Sequence, residues 1–215
     1  IASSLAAAKL HQPIAHLEAG LRSFNRFMPE EINRVVTDHI SDLLLAPTQT
    51  AVDHLRNEGL KNRTVLVGDV MTDVCLATSE KPFDFQIFAN KFQIVGEYYL
   101  ATIHRAENTD NPDILASIIR LLNNLDKQVL LTMHPRLVQK LKDHNLDVKG
   151  GNIIKAEPLA YTEMVAATKH AAGVITDSGG LQKEAFLLKT PCVTLRSETE
   201  WIETSNLGVN LIGTY

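Results

Sequence analysis

Cysteine is scarce here: two residues in 215, Cys75 and Cys192, far apart and at no zinc or redox spacing. That excludes a disulfide scaffold and a structural zinc site. The pair reads instead as buried thiols of a reducing compartment. An excess of charge of one sign is also missing. The formal net charge is -4, which gives no global attraction to nucleic acid or to an anionic membrane. An anionic ligand would have to be met by local Arg, His and backbone N–H groups. No apolar run nears the roughly 20 residues of a membrane span, and no signal peptide is visible. The expectation is a cytoplasmic protein with no nucleic-acid or membrane partner. Internal repeats, low-complexity segments and a G-x-G-x-x-G fingerprint are absent as well.

What is present is ordinary globular composition, 45% hydrophobic and 21% charged. Short β-rich runs alternate with helical patterns. Strands are expected at 14–19, 43–48, 64–68, 98–103, 128–133, 152–156, 172–177 and 191–195. Helices are expected at 3–10, 48–60, 70–80, 111–125, 135–145, 161–171 and 179–188, and a helical apolar stripe runs from Pro29 to Leu44. Residues 81–97 read as a less regular stretch. Such alternation gives parallel sheets with helices on both faces, an α/β fold. The pattern breaks once, near residue 70. It predicts two Rossmann-like domains, 1–69 (incomplete at its start) and 70–215. The chain opens "IASSLAAAKL" without Met and closes "GVNLIGTY" just after an expected strand, so it reads as a piece of a longer protein.

The residues that could carry chemistry fall where such sheets bind ligands, beyond the carboxyl ends of strands. In "VITDSGGLQKEA" a buried strand runs into a helix through Asp177, Ser178, Gly179 and Gly180. Two glycines let a bulky anion approach the backbone, Ser178 is suited to cap the helix, and the helix N-terminus attracts negative charge. Glu184, one and a half turns on, is placed to accept two ribose hydroxyls. An ordinary capped strand–helix turn fits the same letters equally well. "ATIHRAEN" puts His104 and Arg105 at a strand end, and "TMHPR" does the same for His134 and Arg136. A lone His is more often structural; two at neighbouring strand ends favour a site.

The stretch "HLEAGLRSFNRFMPEEINR" places Glu18 at the end of a strand and Glu30 in the first turn of the next helix. An acid there is favoured by the helix dipole without any function, and Glu30 with Arg34 also fits a plain i,i+4 pair. Arg22 and Arg26 read as solvated loop charges.

Together "HLEAGLRSFNRFMPEEINR", "LLLAPT", "VGDVMTD", "TIHRAEN", "MHP", "DSGGLQKEA" and "RSETEW" resemble, in order and spacing over nearly the whole chain, the non-hydrolysing UDP-N-acetylglucosamine 2-epimerase family. The resemblance implies a glycosyltransferase-B-type fold of two Rossmann-like domains and interconversion of UDP-N-acetylglucosamine and UDP-N-acetylmannosamine for surface polysaccharide synthesis. It assigns catalysis to Glu18, Glu30 and His104. Nucleotide contacts fall to Arg34, His134, the "EPLAY" segment about Leu159, Ser178, Gly179, Gly180 and Glu184. Arg105 would join them on the diphosphate. It implies a UDP-sugar as partner, a homodimer in the full-length form, and neither metal nor cofactor.

The family's "GTRPE"-type phosphate loop and a catalytic Asp in a later "GD" turn have no counterpart here and would lie before Ile1; the closing helices are missing too. Trp201 stands where well-known bacterial members have Arg. That resembles relatives acting on UDP-2,3-diacetamido-2,3-dideoxyglucuronate, an alternative substrate. A sugar-nucleotide-binding module without epimerase activity, and a glycosyltransferase of the same fold, are the other readings.

Inverting C2 requires breaking a C2–H bond on a carbon with no adjacent carbonyl. Transient oxidation at C3 by a nicotinamide is one route. The other is elimination of UDP to a 2-acetamidoglucal and re-addition, which uses the residues present, with Glu18 and Glu30 as acid/base groups.

Overall fold

Every strand pairing in the described residues is parallel, as strand–helix alternation predicted. The structure, a computed structural model, describes residues 1–148, 150–196 and 210–212. The chain divides into two compact units, Ile1–Asp73 and Val74–Tyr215, with the boundary inside one helix.

The first unit contains α1 (Ala2–Lys9), β1 (Ala15–Leu17), α2 (Pro29–Ile40), β2 (Leu43–Ala46), α3 (Gln49–Asn57), a 3-10 turn (Lys61–Arg63), β3 (Thr64–Leu66) and the start of α4 (Val70–Ser79). Its sheet runs β1-β2-β3. One face is packed by Ala19, Leu44, Ala46, Ala51, Leu55 and Leu60. Leu17, Leu43 and Val65, which the register puts on the opposite face, stay exposed. The stripe expected to run to Leu44 stops at Ile40. Ser41 turns to extended backbone, and Arg63 donates to the His39 and Ser41 carbonyls at 2.9 and 2.7 Å, capping the helix end. Leu43 and Leu44 then enter β2.

The second unit adds α5 (Phe85–Phe92), β4 (Tyr98–Thr102), α6 (Ala106–Thr109), α7 (Pro112–Asn123), β5 (Gln128–Thr132), α8 (Pro135–Asp143), β6 (Ile153–Ala156), α9 (Tyr161–His170), β7 (Gly173–Thr176), α10 (Gly179–Leu187), β8 (Cys192–Thr194) and β9 (Asn210–Ile212). The sheet order is β6-β5-β4-β7-β8-β9, so the winding reverses between β4 and β7. Alternate residues of each strand feed two cores. Ala101, Val129, Leu131 and Ile175 pack with Leu115, Ile118, Leu122 and Leu137 of α7 and α8. Tyr98, Leu100, Leu130 and Val174 pack with Phe88, Ala167, Leu181 and Ala185 of α5, α9 and α10. Burial on both faces is why these strands are apolar without alternation, each buried Leu or Val contributing about 1.5–3 kcal/mol.

The irregular reading of 81–97 is corrected by α5. Asp84 caps it, accepting from the Ile87 amide at 3.1 Å, and Gln93 closes it in the left-handed region. Phe85, Phe88, Ala89 and Phe92 supply a helical apolar period, which the β-preference of Phe obscures in one dimension. Among the described residues no helix is long and apolar enough to cross a membrane. Cys75 and Cys192 are buried free thiols.

Candidate active site

Four adjacent parallel strands end in register at Ala156, Thr132, Thr102 and Thr176. The Thr102 and Thr176 hydroxyls meet at 2.5 Å across the reversal point. Just beyond lies a cavity of about 310 Å3, lined by His104, His134, Leu159, Tyr161, Ser178, Gly180 and Glu184 among others. Cavities of about 300 Å3 around Lys81, Phe83 and Lys169, and of about 360 Å3 around Arg22, Arg26 and Val35, are as large. Placement singles out the first: ligands of doubly wound sheets sit at the carboxyl ends where strand order reverses.

His104 follows β4 and is held by Asp177, which follows β7. The Asp177 carboxylate, fully buried, accepts from the His104 amide at 2.9 Å, the Arg105 amide at 2.8 Å and the Asn108 side chain at 3.0 Å, and lies 3.1 Å from His104 Nδ1. Burial pushes this carboxyl up, but the bonds from His104, Arg105 and Asn108 outweigh it and hold it below the ordinary range. The charged acceptor fixes the proton of His104 on Nδ1 and leaves Nε2 for a ligand.

His134 takes the complementary form. It caps α8, Nδ1 accepting from the Arg136 amide at 3.2 Å, so the proton of the neutral ring sits on Nε2. Its ring centroid is 5.0 Å from that of His104. Burial, then the neighbouring His104 ring, push His134 below its usual value, which favours the neutral ring.

At α10, Ser178 donates its amide to Thr176 and its hydroxyl accepts from the Leu181 amide at 3.4 Å. The Gly179 and Gly180 amides belong to the first turn, where the helix offers no carbonyl, and they are the donors an anion would meet. Gly180 is exposed, and a Cβ there would find only Ser178 Oγ, at 3.8 Å. Burial pushes Glu184 up, while the Tyr161 hydroxyl and Lys183 oppose the rise. That hydroxyl is buried near Glu184 and Cys75 but in no strict hydrogen-bond geometry; burial and the Glu184 charge drive its ionisation far above the usual range.

His104, His134, Leu159, Ser178, Gly180 and Glu184 are thus brought to one cavity. Gly179, buried as the first residue of α10, and Arg105 are not among its lining residues. Arg136 is bound to Thr109 and Asp110.

Glu18, Glu30 and Arg34 belong to the first unit. Glu18 follows β1 directly, with φ +64°. Glu30 is exposed in the first turn of α2, whereas its neighbour Glu31 is 3% exposed and accepts from the Ser23 amide at 2.8 Å, the Phe24 amide at 3.1 Å and the Ser23 hydroxyl at 3.1 Å. Glu31 therefore ties down the loop that leads into α2 and leaves Glu30 free for a ligand. Arg34 approaches Glu31 at 4.0 Å.

The reading of Arg22 as a solvated loop charge is corrected. It is 2% exposed, its guanidinium bonded to Glu58 through Nε and Nη2 at 2.7 and 2.8 Å and 2.7 Å from Asp38. Arg26 is exposed. Sequence reasoning missed Asp38 altogether and took Asp177 for a turn residue. A charged side chain directly after an apolar strand was the available signal for Asp177. The residues of "RSETEW" after Arg196, including Trp201, lie outside the described residues.

Residues 1–214 match the family described as UDP-N-acetylglucosamine 2-epimerase. The chain is 44% identical over 223 residues to the UDP-N-acetylglucosamine 2-epimerase of Methanocaldococcus jannaschii, covering 99% of this chain and 61% of that protein. It is 44% identical over 218 residues to the UDP-2,3-diacetamido-2,3-dideoxy-D-glucuronate 2-epimerase of Pseudomonas aeruginosa, covering 99% and 60%. The structure of the M. jannaschii enzyme in complex with UDP-GlcNAc and UDP superposes with a TM-score of 0.89 at 43% identity, over 99% of this chain and 61% of that one. The chain thus spans about three fifths of the length of the relatives it matches.

Proposed function

The chain belongs to the UDP-N-acetylglucosamine 2-epimerase family, and from that premise we propose that it inverts C2 of a UDP-linked 2-acetamido sugar, interconverting UDP-N-acetylglucosamine and UDP-N-acetylmannosamine. The observation that carries this is the cavity at the strand-order reversal, where His104, His134, the first turn of α10 and Glu184 converge. Its chemistry suits a nucleoside diphosphate: amides and imidazoles for phosphate, a carboxylate for a ribose diol. Residues 70–215 act as the nucleotide-binding Rossmann-like domain, and 1–69 as the last part of the domain that bears the acid/base groups.

In the reaction the C1–O bond breaks and UDP leaves with the electron pair, as a carboxylate, Glu18 or Glu30, takes the C2 proton. A C1–C2 double bond forms. Protonation of C2 from the opposite face and return of a UDP oxygen to C1 complete the inversion. His104, Arg105 and the Gly179 and Gly180 amides stabilise the diphosphate as charge builds, where losing one preorganised donor costs about 10²–10³ in rate. Cytoplasmic residence suits the two buried free thiols, and analogy with the family supports a homodimer for the full-length protein.

A second sugar is favoured by one feature, Trp201, together with the P. aeruginosa relative: UDP-2,3-diacetamido-2,3-dideoxyglucuronate. Proton NMR in D2O with each UDP-sugar and no acceptor decides. The full-length protein incorporates deuterium at C2 and accumulates the C2 epimer of its own substrate. Sugar transfer to an acceptor without C2 exchange would replace the epimerase by a glycosyltransferase.

A further inference from the structure

Asp38 sits on the inner face of α2 with its carboxylate fully buried. Oδ1 is 2.5 Å from His16 Nδ1, and Oδ2 accepts from the Gly20 amide at 3.1 Å and lies 2.7 Å from Arg22 Nη2. These partners are the residues two before, two after and four after Glu18. Glu18 itself has φ +64°, a conformation that costs a non-glycine residue and persists only when its surroundings over-determine it. The surroundings do so here. The Ala19 amide donates to Leu45 at 3.2 Å, and Gly20, at φ +85°, leaves no room for a Cβ, which would fall 2.4 Å from the Ala51 carbonyl oxygen.

We propose that Asp38 is the positioning residue that aims Glu18 and fixes it relative to Glu30. The inference rests on the acid/base roles assigned above. Glu30 rides on the first turn of α2, and Asp38 two turns further along the same helix grips the β1–α2 turn on both sides of Glu18. The geometry of the two acids therefore runs through one carboxylate. Hydrogen bonds from His16 and Arg22 outweigh the burial that would push Asp38 up, so it remains ionised and holds all its donors.

The test uses the full-length enzyme and three variants. Glu18→Gln comes first: wild-type turnover there would remove the acid/base reading and with it this inference. With Glu18→Gln inactive, Asp38→Asn, verified as folded by near-UV circular dichroism, is expected to lose about 10²-fold in kcat, the usual scale of a misplaced catalytic group. KM for the UDP-sugar and UDP affinity by calorimetry stay at wild-type values. A folded Asp38→Asn with intact kcat, or with its loss confined to KM, overturns the proposal while leaving the epimerase reading standing. Should Asp38→Asn not fold, His16→Leu decides, since it removes one tether and leaves the Arg22 pairing: a reduced kcat at unchanged KM supports the role, and unchanged kcat overturns it.

Discussion

Glu30 and Glu31 point about 100° apart around α2, and that angle divides their work. Glu31 is buried under two backbone amides and a hydroxyl; Glu30 faces solvent. Glu30→Gln is expected to lower epimerisation by about 10²–10⁴-fold, the usual contribution of a general acid or base, with Tm unchanged and UDP still bound. Glu31→Gln is expected to lower stability by about 1–3 kcal/mol, because buried amides lose a charged acceptor; urea titration reads it. His134 adds a pH dependence. Its folded value lies below the ordinary 6.5, so below that pH the unfolded chain takes a proton that the folded chain refuses. Stability is fully present above about pH 6.5 and falls as the pH drops through that value. His134→Asn, which keeps a capping acceptor and cannot titrate, should flatten this part of a Tm-against-pH curve. If the slope stays in His134→Asn, another group is responsible.

At the scale of elements, α10 differs from α2 and α8 in having a first turn poor in side chains. The N-terminus of α10 presents Gly179 and Gly180 where a bulky residue would cover the amides. Gly180→Ala tests this directly. Its Cβ meets nothing closer than 3.8 Å, so the helix gains up to about 1 kcal/mol in propensity. The same methyl stands where a phosphate would approach, so calorimetry should show weaker UDP binding in a protein as stable as wild type or more so. The elements were largely legible from the period of the apolar residues, because parallel strands covered on both faces read as unbroken apolar runs. Three were not: α5, whose phenylalanines read as β-formers, the four-residue α6, too short to show a period, and the three-residue β9.

For the whole molecule, the two units differ in how their sheets are covered. The six-stranded sheet has a core on each face, whereas the three-stranded sheet leaves Leu17, Leu43 and Val65 exposed on one. Calorimetry of this chain is expected to resolve two transitions, the first unit melting earlier. UDP at 100 times its dissociation constant should stabilise only the later one, by about 2.7 kcal/mol. A uniform rise of both transitions would contradict the assignment of the nucleotide to residues 70–215. By itself the sequence determined the α/β class, the parallel pairing, and the strand-end positions of Glu18, His104, His134 and Ser178, since all follow from local apolar patterns and turn residues. Only the tertiary structure decided which charges are buried and what they hold. Asp177 reaches the His104 amide across 73 residues, and Asp38 reaches Gly20 across 18. A charge enters the interior only where distant partners satisfy it, and no local pattern announces that meeting.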